Sequence, residues 1–220
     1  MITKTLIIGG SSGIGLASRN LLTSQGHDVI STSRSTFEAT NREATLEIPK
    51  VLDGFVYCPG TINLKPFHRL IEEDFLNDLQ VNLLGATRAL QLALPALKKS
   101  PSASVVLFST IAVKCGMPFH ASIAAAKGAV EGLTRSLAAE WAPKIRVNAI
   151  APSLTDTKLA ASLLGDEKRR EAAAERHPLK SIGQPEHVAE IVSYLLSDAA
   201  KFTTGQILRP DGGLSSVRLF

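Results

Sequence analysis

The chain has 220 residues, of which 45% are hydrophobic and 20% charged. That balance is globular, excludes a disordered chain, and allows one large core in a single domain. The formal net charge of +4 comes from scattered bases, clustered only at Lys98-Lys99 and at Lys168-Arg169-Arg170, where Asp166, Glu167 and Glu171 interleave. A mixed run of this kind is a solvated helix face and excludes nucleic acid as an expected partner, while mild positive charge suits a small anionic ligand.

The two cysteines, Cys58 and Cys115, lie in different segments without partners at metal-ligand spacing. They read as reduced thiols, and no metal site is expected. No apolar run approaches the roughly 18 residues of a membrane span. The amino-terminal region enters a strand-like run, TKTLIIGG, with no leader-like segment before it. A cytoplasmic protein with no membrane partner is expected.

The first element is a β-branched run at 5–8, which leads into LIIGGSSGIG and a helical pattern at 14–24. Gly9, Gly13 and Gly15 stand where backbone must turn tightly or meet a phosphate closely, because a Cβ would collide there. The N–H groups from Ser11 and Ser12 through Gly13, Ile14 and Gly15, with the positive end of the helix dipole, suit an anion. A glycine-rich loop by itself is also a plain turn; opening the first strand of an α/β chain, it points to a nucleotide.

The second strand-like run, 28–32, ends in ISTSR. Ser33 and Arg34 stand where a dinucleotide without a 2′-phosphate usually meets an acidic side chain. A guanidinium beside the hydroxyls of Thr32, Ser33 and Ser35 suits a 2′-phosphate, so NADP(H) is expected over NAD(H). The stretch 35–53 has room for a short strand at 45–48 but not for two full crossover helices. The second crossover is expected to be shortened, leaving one end of the sheet less covered.

Further strand-like runs fall at 54–58, 104–108, 145–150 and 206–208, with a long helical span at 72–97 and another helix after Ala121. In that helix Ile123, Ala126, Val130, Leu133, Leu137 and Trp141 recur at three- and four-residue steps, and Ser122 is its expected cap. Strand–helix alternation predicts an α/β fold: one Rossmann-type, doubly wound parallel sheet with helices on both faces. No repeat or linker divides 1–220.

Taken in order, these motifs resemble the short-chain dehydrogenase/reductase family over nearly the whole chain. Gly9, Gly13 and Gly15 match its Gly-x-x-x-Gly-x-Gly loop, with Ile8 in place of the preceding threonine. Cys58-Pro59-Gly60 stands at its Asn-Ala-Gly turn and keeps only Gly60. Asn82, in LQVNLLGA, matches its structural and proton-relay asparagine. RVNAIAPSLTDT resembles its Arg-Val-Asn…Pro-Gly segment, with Pro152 kept, Ser153 replacing the glycine, and Thr157 at the cofactor-contacting threonine. TTGQILRPDGG resembles its carboxy-terminal strand and turn. The resemblance implies a nicotinamide dinucleotide, a substrate lid at about 153–178, and a homodimer or homotetramer built through the helices around Asn82 and Lys127. Ala124, Ala125, Ala129 and Gly132 are small enough for close approach there.

The family's catalytic serine, tyrosine and lysine fall on Thr110, Ile123 and Lys127. In the family, hydride transfer is coupled to proton transfer at an alcohol or carbonyl oxygen. The lysine lowers the pKa of the phenol, ordinarily about 10, and holds the nicotinamide ribose. Isoleucine can neither give nor take a proton, and loss of a general acid costs about 10²–10⁴ in rate. The ribose-holding role of Lys127 needs no phenol. Thr110 keeps a hydroxyl for a substrate oxygen. His120 shares a face with Ile123 and Lys127 if the helix reaches it, where a neutral imidazole would serve as acid or base through water. Its plainer reading is a loop contact or cap. Tyr57 and Tyr194 match no family proton donor and are expected to pack.

The expected catalytic set is Thr110, Lys127, Asn82 and His120. Three functions stay open. One is an NADP(H)-dependent oxidoreductase with an atypical proton donor, acting on a small, apolar carbonyl or alcohol against Leu154, Leu159, Leu163 and Leu164. Another is an NADP(H)-binding sensor, regulatory or structural protein without redox turnover. The third is a lyase or isomerase on the same fold.

Overall fold

The computed structural model describes residues 3–219. Its six strands are β1 (Lys4–Ile8), β2 (Asp28–Ser31), β3 (Gly54–Tyr57), β4 (Ala103–Phe108), β5 (Ile145–Ile150) and β6 (Ile207–Leu208). All pair in parallel, in the order β2-β1-β3-β4-β5-β6. β3, β4 and β5 are buried along their whole length, as central parallel strands are when helices cover both faces.

Among the described residues six α-helices complete the fold: α1 (Gly13–Ser24), α2 (Glu72–Leu79), α3 (Gly85–Leu97), α4 (Ala121–Trp141), α5 (Glu167–Glu175) and α6 (Pro185–Leu196). The two-residue period of a strand sends alternate side chains to opposite cores. Leu6, Ile8, Phe55, Tyr57, Val105 and Leu107 pack with Ala89 and Leu90 of α3 and Val130 of α4. Ile7, Val56, Val106 and Ile150 pack on the other face with Leu22 of α1 and Val188, Val192 and Leu195 of α6. Among the described residues no helix is long and apolar enough to cross a membrane.

The Arg-Val-Asn segment has a structural use. Arg146, on β5, donates to the carbonyls of Leu195 and Ser197 at the end of α6, and Asn148 donates to the Thr203 carbonyl while accepting from the Gln206 N–H. Buried polar groups must find partners; these two find them in the segments that bring β6 alongside β5.

The second crossover is shortened, as expected, and carries no helix between β2 and β3. The strand expected at 45–48 does not form. Ala44, Leu46 and Ile48 instead lay their side chains on the first core beside buried Phe37 and Ala39, so this run packs as irregular chain and β2 remains the sheet edge. The helical span 72–97 is continuous but contains a wider turn at Gln80–Leu84, with Asn82 inside it. Such π-turns disturb the regular carbonyl ladder. Here the Tyr57 hydroxyl donates to the Val81 carbonyl at 2.6 Å, and burial pushes the phenol's pKa up. Tyr57 therefore packs, whereas Tyr194, expected to do the same, lies exposed on α6.

Candidate active site

At the carboxyl ends of the strands, where ligands of open α/β sheets sit, lies a cleft of about 600 Å³. The glycine loop meets this cleft through Ile14. Gly9 (φ +79°) and Gly13 (φ +52°) hold left-handed backbone that side chains disfavour. A Cβ on Gly13 would press on Thr157, and one on Gly15 would overlap the Gly9 carbonyl. The turn is thus as tight as glycine permits. Ser12 is the N-cap of α1 without a side-chain capping bond, so its hydroxyl does not take up the first N–H groups of the helix. These groups fit a dinucleotide pyrophosphate: a cradle that any side chain would fill, at the positive end of a helix.

Thr32, at the end of β2, accepts from the Gly9 N–H through its hydroxyl (3.2 Å) and from the Gly10 N–H through its carbonyl (2.9 Å). This ties the glycine loop to the corner carrying Ser33 and Arg34. There the Ser33 and Ser35 hydroxyls stand 2.7 Å apart, while Arg34, 89% exposed, pairs loosely with Glu38 at 3.6 Å. Both features leave donors at an open corner for a phosphate.

Deeper in the cleft, β4 and α4 bring Thr110, Ile123 and Lys127 together. Lys127 is buried and donates to the Phe108 carbonyl at 2.9 Å. Burial pushes its ammonium down to about 8, opposed by Cys58 and Asp78. Cys58, half-buried on the same cleft, is itself pushed up to about 12 by burial, so at neutral pH it is a thiol without charge. The Asp78 carboxylate is left as the working counter-charge. Asp78 is fully buried, with one oxygen accepting from the Thr61 hydroxyl at 2.6 Å and the other without a partner.

Asn82 lies behind the cleft wall. Its amide donates to Thr61 and to the Asp78 carbonyl, both at 2.8 Å, and its buried Oδ1 has no partner. Gly60 separates it from the ammonium: a Cβ there would stand 3.3 Å from Asn82 Oδ1 and 3.6 Å from Lys127 Nζ. Pro152 accepts from the Ile111 N–H at 3.3 Å, joining the segment after β5 to the one carrying Thr110.

His120 is the N-cap of α4, at the cleft, preceded by Phe119 with φ +70°. Its Nδ1 lies 2.7 Å from the Pro118 carbonyl. A carbonyl only accepts, so the Nδ1 proton is donated there and Nε2 is left free. Ser122 is not the cap: the helix begins one residue before it, and Ser122 is buried against Asn63. Of the expected leucine lining, Leu154, Leu159 and Leu163 are on the cleft, whereas Leu164 turns away to pack with Ala160 and Ala173.

Sequence reasoning missed a pair on the far wall. His177, buried after α5, meets the Ser153 hydroxyl at 2.9 Å, and both line the cleft. Nothing in the sequence links residues so far apart; only the departure of Ser153 from glycine marked the place. Among the described residues no group of His, Cys, Asp and Glu is set to hold a metal.

A family model described as enoyl-(acyl carrier protein) reductase matches residues 31–215. A tropinone reductase homologue of Arabidopsis thaliana is 41% identical over 157 residues; the match takes in 71% of this chain and 60% of that protein, so the chain spans about three fifths of its length. The 3-oxoacyl-[acyl-carrier-protein] reductase FabG of Thermotoga maritima is 32% identical over 95% of this chain and 96% of its own. Among solved structures, the ligand-free aldohexose dehydrogenase of Thermoplasma acidophilum superposes with a TM-score of 0.88 at 27% identity, covering 100% of this chain and 96% of that one.

Proposed function

The chain belongs to the short-chain dehydrogenase/reductase family, and from that premise we propose that it is an NADP(H)-dependent oxidoreductase for a small, apolar carbonyl or alcohol, with a proton donor other than tyrosine. The observation that carries this reading is a cleft lined by a buried lysine and a threonine, which meets a tight glycine loop at Ile14. Gly9, Ser11, Ser12, Gly13, Ile14 and Gly15 would hold the pyrophosphate, and Ser33 with Arg34 the 2′-phosphate. Lys127, Gly60, Pro152 and Thr157 would hold the nicotinamide half. Bound NADPH supplies the hydride. Thr110 orients the substrate oxygen, Asn82 and Asp78 back the lysine, and the free Nε2 of His120 is available to exchange protons at the cleft mouth.

Met117, Ile123, Leu154, Leu159 and Leu163 make the substrate side apolar, and 153–178, with Leu159 half-exposed, is the segment suited to close over it as a lid. Exposed Leu84 and Leu92 on and beside α3, with Ala125 and Gly132 open on α4, suit a homotetramer, which light scattering would test. A cytoplasmic site of action accords with the unpaired thiols.

The test is calorimetric titration with NADPH and NADH, followed by NADPH oxidation over a panel of aldehydes, ketones and quinones. Binding of NADPH with steady turnover is expected. Failure to bind either dinucleotide would overturn the reading.

A further inference from the structure

We propose that Ser153 and His177 move the proton to and from the substrate oxygen, in the place of the absent phenol; this rests on the oxidoreductase reading above. Ile123, at the usual donor position, is buried on the cleft and carries no exchangeable proton. Any donor must reach an oxygen held near Thr110 from another wall. Ser153 is suited to this: it follows Pro152, whose carbonyl accepts from the residue after Thr110, and its own hydroxyl lines the same cleft.

A lone serine hydroxyl is a weak acid and a weak base, and it becomes useful when a histidine shares its proton. His177 is held for that purpose. Its Nδ1 lies 2.9 Å from the Ala173 carbonyl, which can only accept, so in the neutral ring the proton sits on Nδ1 and Nε2 accepts from Ser153. The ring is 3% exposed, and Gly212, at φ +58°, brings backbone against it so closely that a Cβ there would stand 3.3 Å from its side chain. His120, by contrast, sits half-exposed at a helix cap with its Nδ1 on the Pro118 carbonyl.

In alcohol oxidation the substrate hydroxyl gives its proton to Ser153 Oγ as Ser153 passes its own to His177 Nε2. The hydride released from the C–H bond would be taken up by oxidised nicotinamide when it is bound. The products are a carbonyl, reduced nicotinamide and an imidazolium whose Nδ1–H still faces Ala173. Carbonyl reduction runs the same transfers backwards, starting from the imidazolium. Ser153 touches substrate; His177 acts through it.

The experiment compares the wild type with Ser153→Gly, His177→Gln and the double variant, each also in an Ile123→Tyr background. The probes are benzaldehyde, cyclohexanone and menadione with NADPH. Each single variant is expected to lower kcat about 10²-fold with little change in KM, the double variant to lose no more than either single, and NADPH affinity to stay within about twofold. With the phenol restored by Ile123→Tyr, the same substitutions are expected to lose their effect. Nitrogen NMR of the wild-type imidazole is expected to show the proton on Nδ1, with the Nε2 signal shifting in Ser153→Gly. Turnover within about threefold of wild type in both single variants would overturn the pair while leaving the oxidoreductase reading standing. So would a neutral ring protonated on Nε2, or a loss of turnover that Ile123→Tyr does not bypass. NADPH binding without wild-type turnover of any probe, with turnover gained by Ile123→Tyr, would also overturn it; absence of NADPH binding would overturn both.

Discussion

Lys127 Nζ donates to the Phe108 carbonyl at 2.9 Å, so the ammonium suited to a ribose is moored to the last residue of β4 from inside α4. Burial holds its pKa down to about 8. A lowered lysine pKa means that the charged form is present below about 8 and lost above it. Ribose oxygens and phosphates favour the charged form, so binding raises the pKa and takes up a proton. NADPH affinity is expected to fall about tenfold between pH 7 and pH 9, with proton uptake growing across that window. Titration calorimetry in buffers of different ionisation enthalpy checks this; no uptake near pH 8 would remove Lys127 from the cofactor site.

Gly15 lies against the Gly9 carbonyl with no room for a methyl group. In Gly15→Ala the loop must open, and overpacking of this kind costs about 1–3 kcal/mol. Thermal melting is expected several degrees lower, and NADPH binding weaker by more than tenfold because the N–H groups lose their common focus. A variant that melts lower yet binds normally would show that the loop does not cradle the cofactor.

Much of this was legible in advance, for reasons that differ by residue. The strands announced themselves because buried parallel strands are short β-branched runs, Gly9 and Gly13 because left-handed backbone favours glycine, and Gly15 because a Cβ would overlap the Gly9 carbonyl. Leu46 and Ile48 misled: the same apolar pattern serves a strand or a loop pressed on a core, and the available partners decide. Asp78 was invisible because it sits in the acid-rich run EEDFLNDL, which reads as a solvated helix face, while the fold turns this one carboxylate inward. The Ser153–His177 contact joins positions 24 residues apart through the turn after α5, a relationship that no local pattern encodes.

The proposed preference for NADP(H) can be tested at Arg34. Its guanidinium is 89% exposed and only loosely held by Glu38, so little is lost in the free protein when it is removed. Against a 2′-phosphate a charge-assisted hydrogen bond is worth about 1.5–3 kcal/mol. Arg34→Ala is expected to weaken NADPH roughly 10- to 100-fold and to leave NADH within about twofold, as read by fluorescence titration. Equal losses for both would assign the arginine to the fold and leave the preference to other groups.

Asp78 bears on the charge of Lys127. Its carboxylate opposes the effect of burial on Lys127, and the other nearby candidate anion, Cys58, stays a neutral thiol because burial pushes it up to about 12. Removing the Asp78 charge while keeping its shape therefore lets burial act unopposed. In Asp78→Asn the midpoint of pH-dependent NADPH binding is expected to move below about 8, so affinity at neutral pH falls while affinity well above the midpoint is unchanged. The amide oxygen can still accept from Thr61, so the fold should survive, with melting lowered by no more than a few degrees. A variant with an unmoved midpoint but much reduced melting would make Asp78 a structural group only, and the charge balance at Lys127 would then have to come from the cofactor itself.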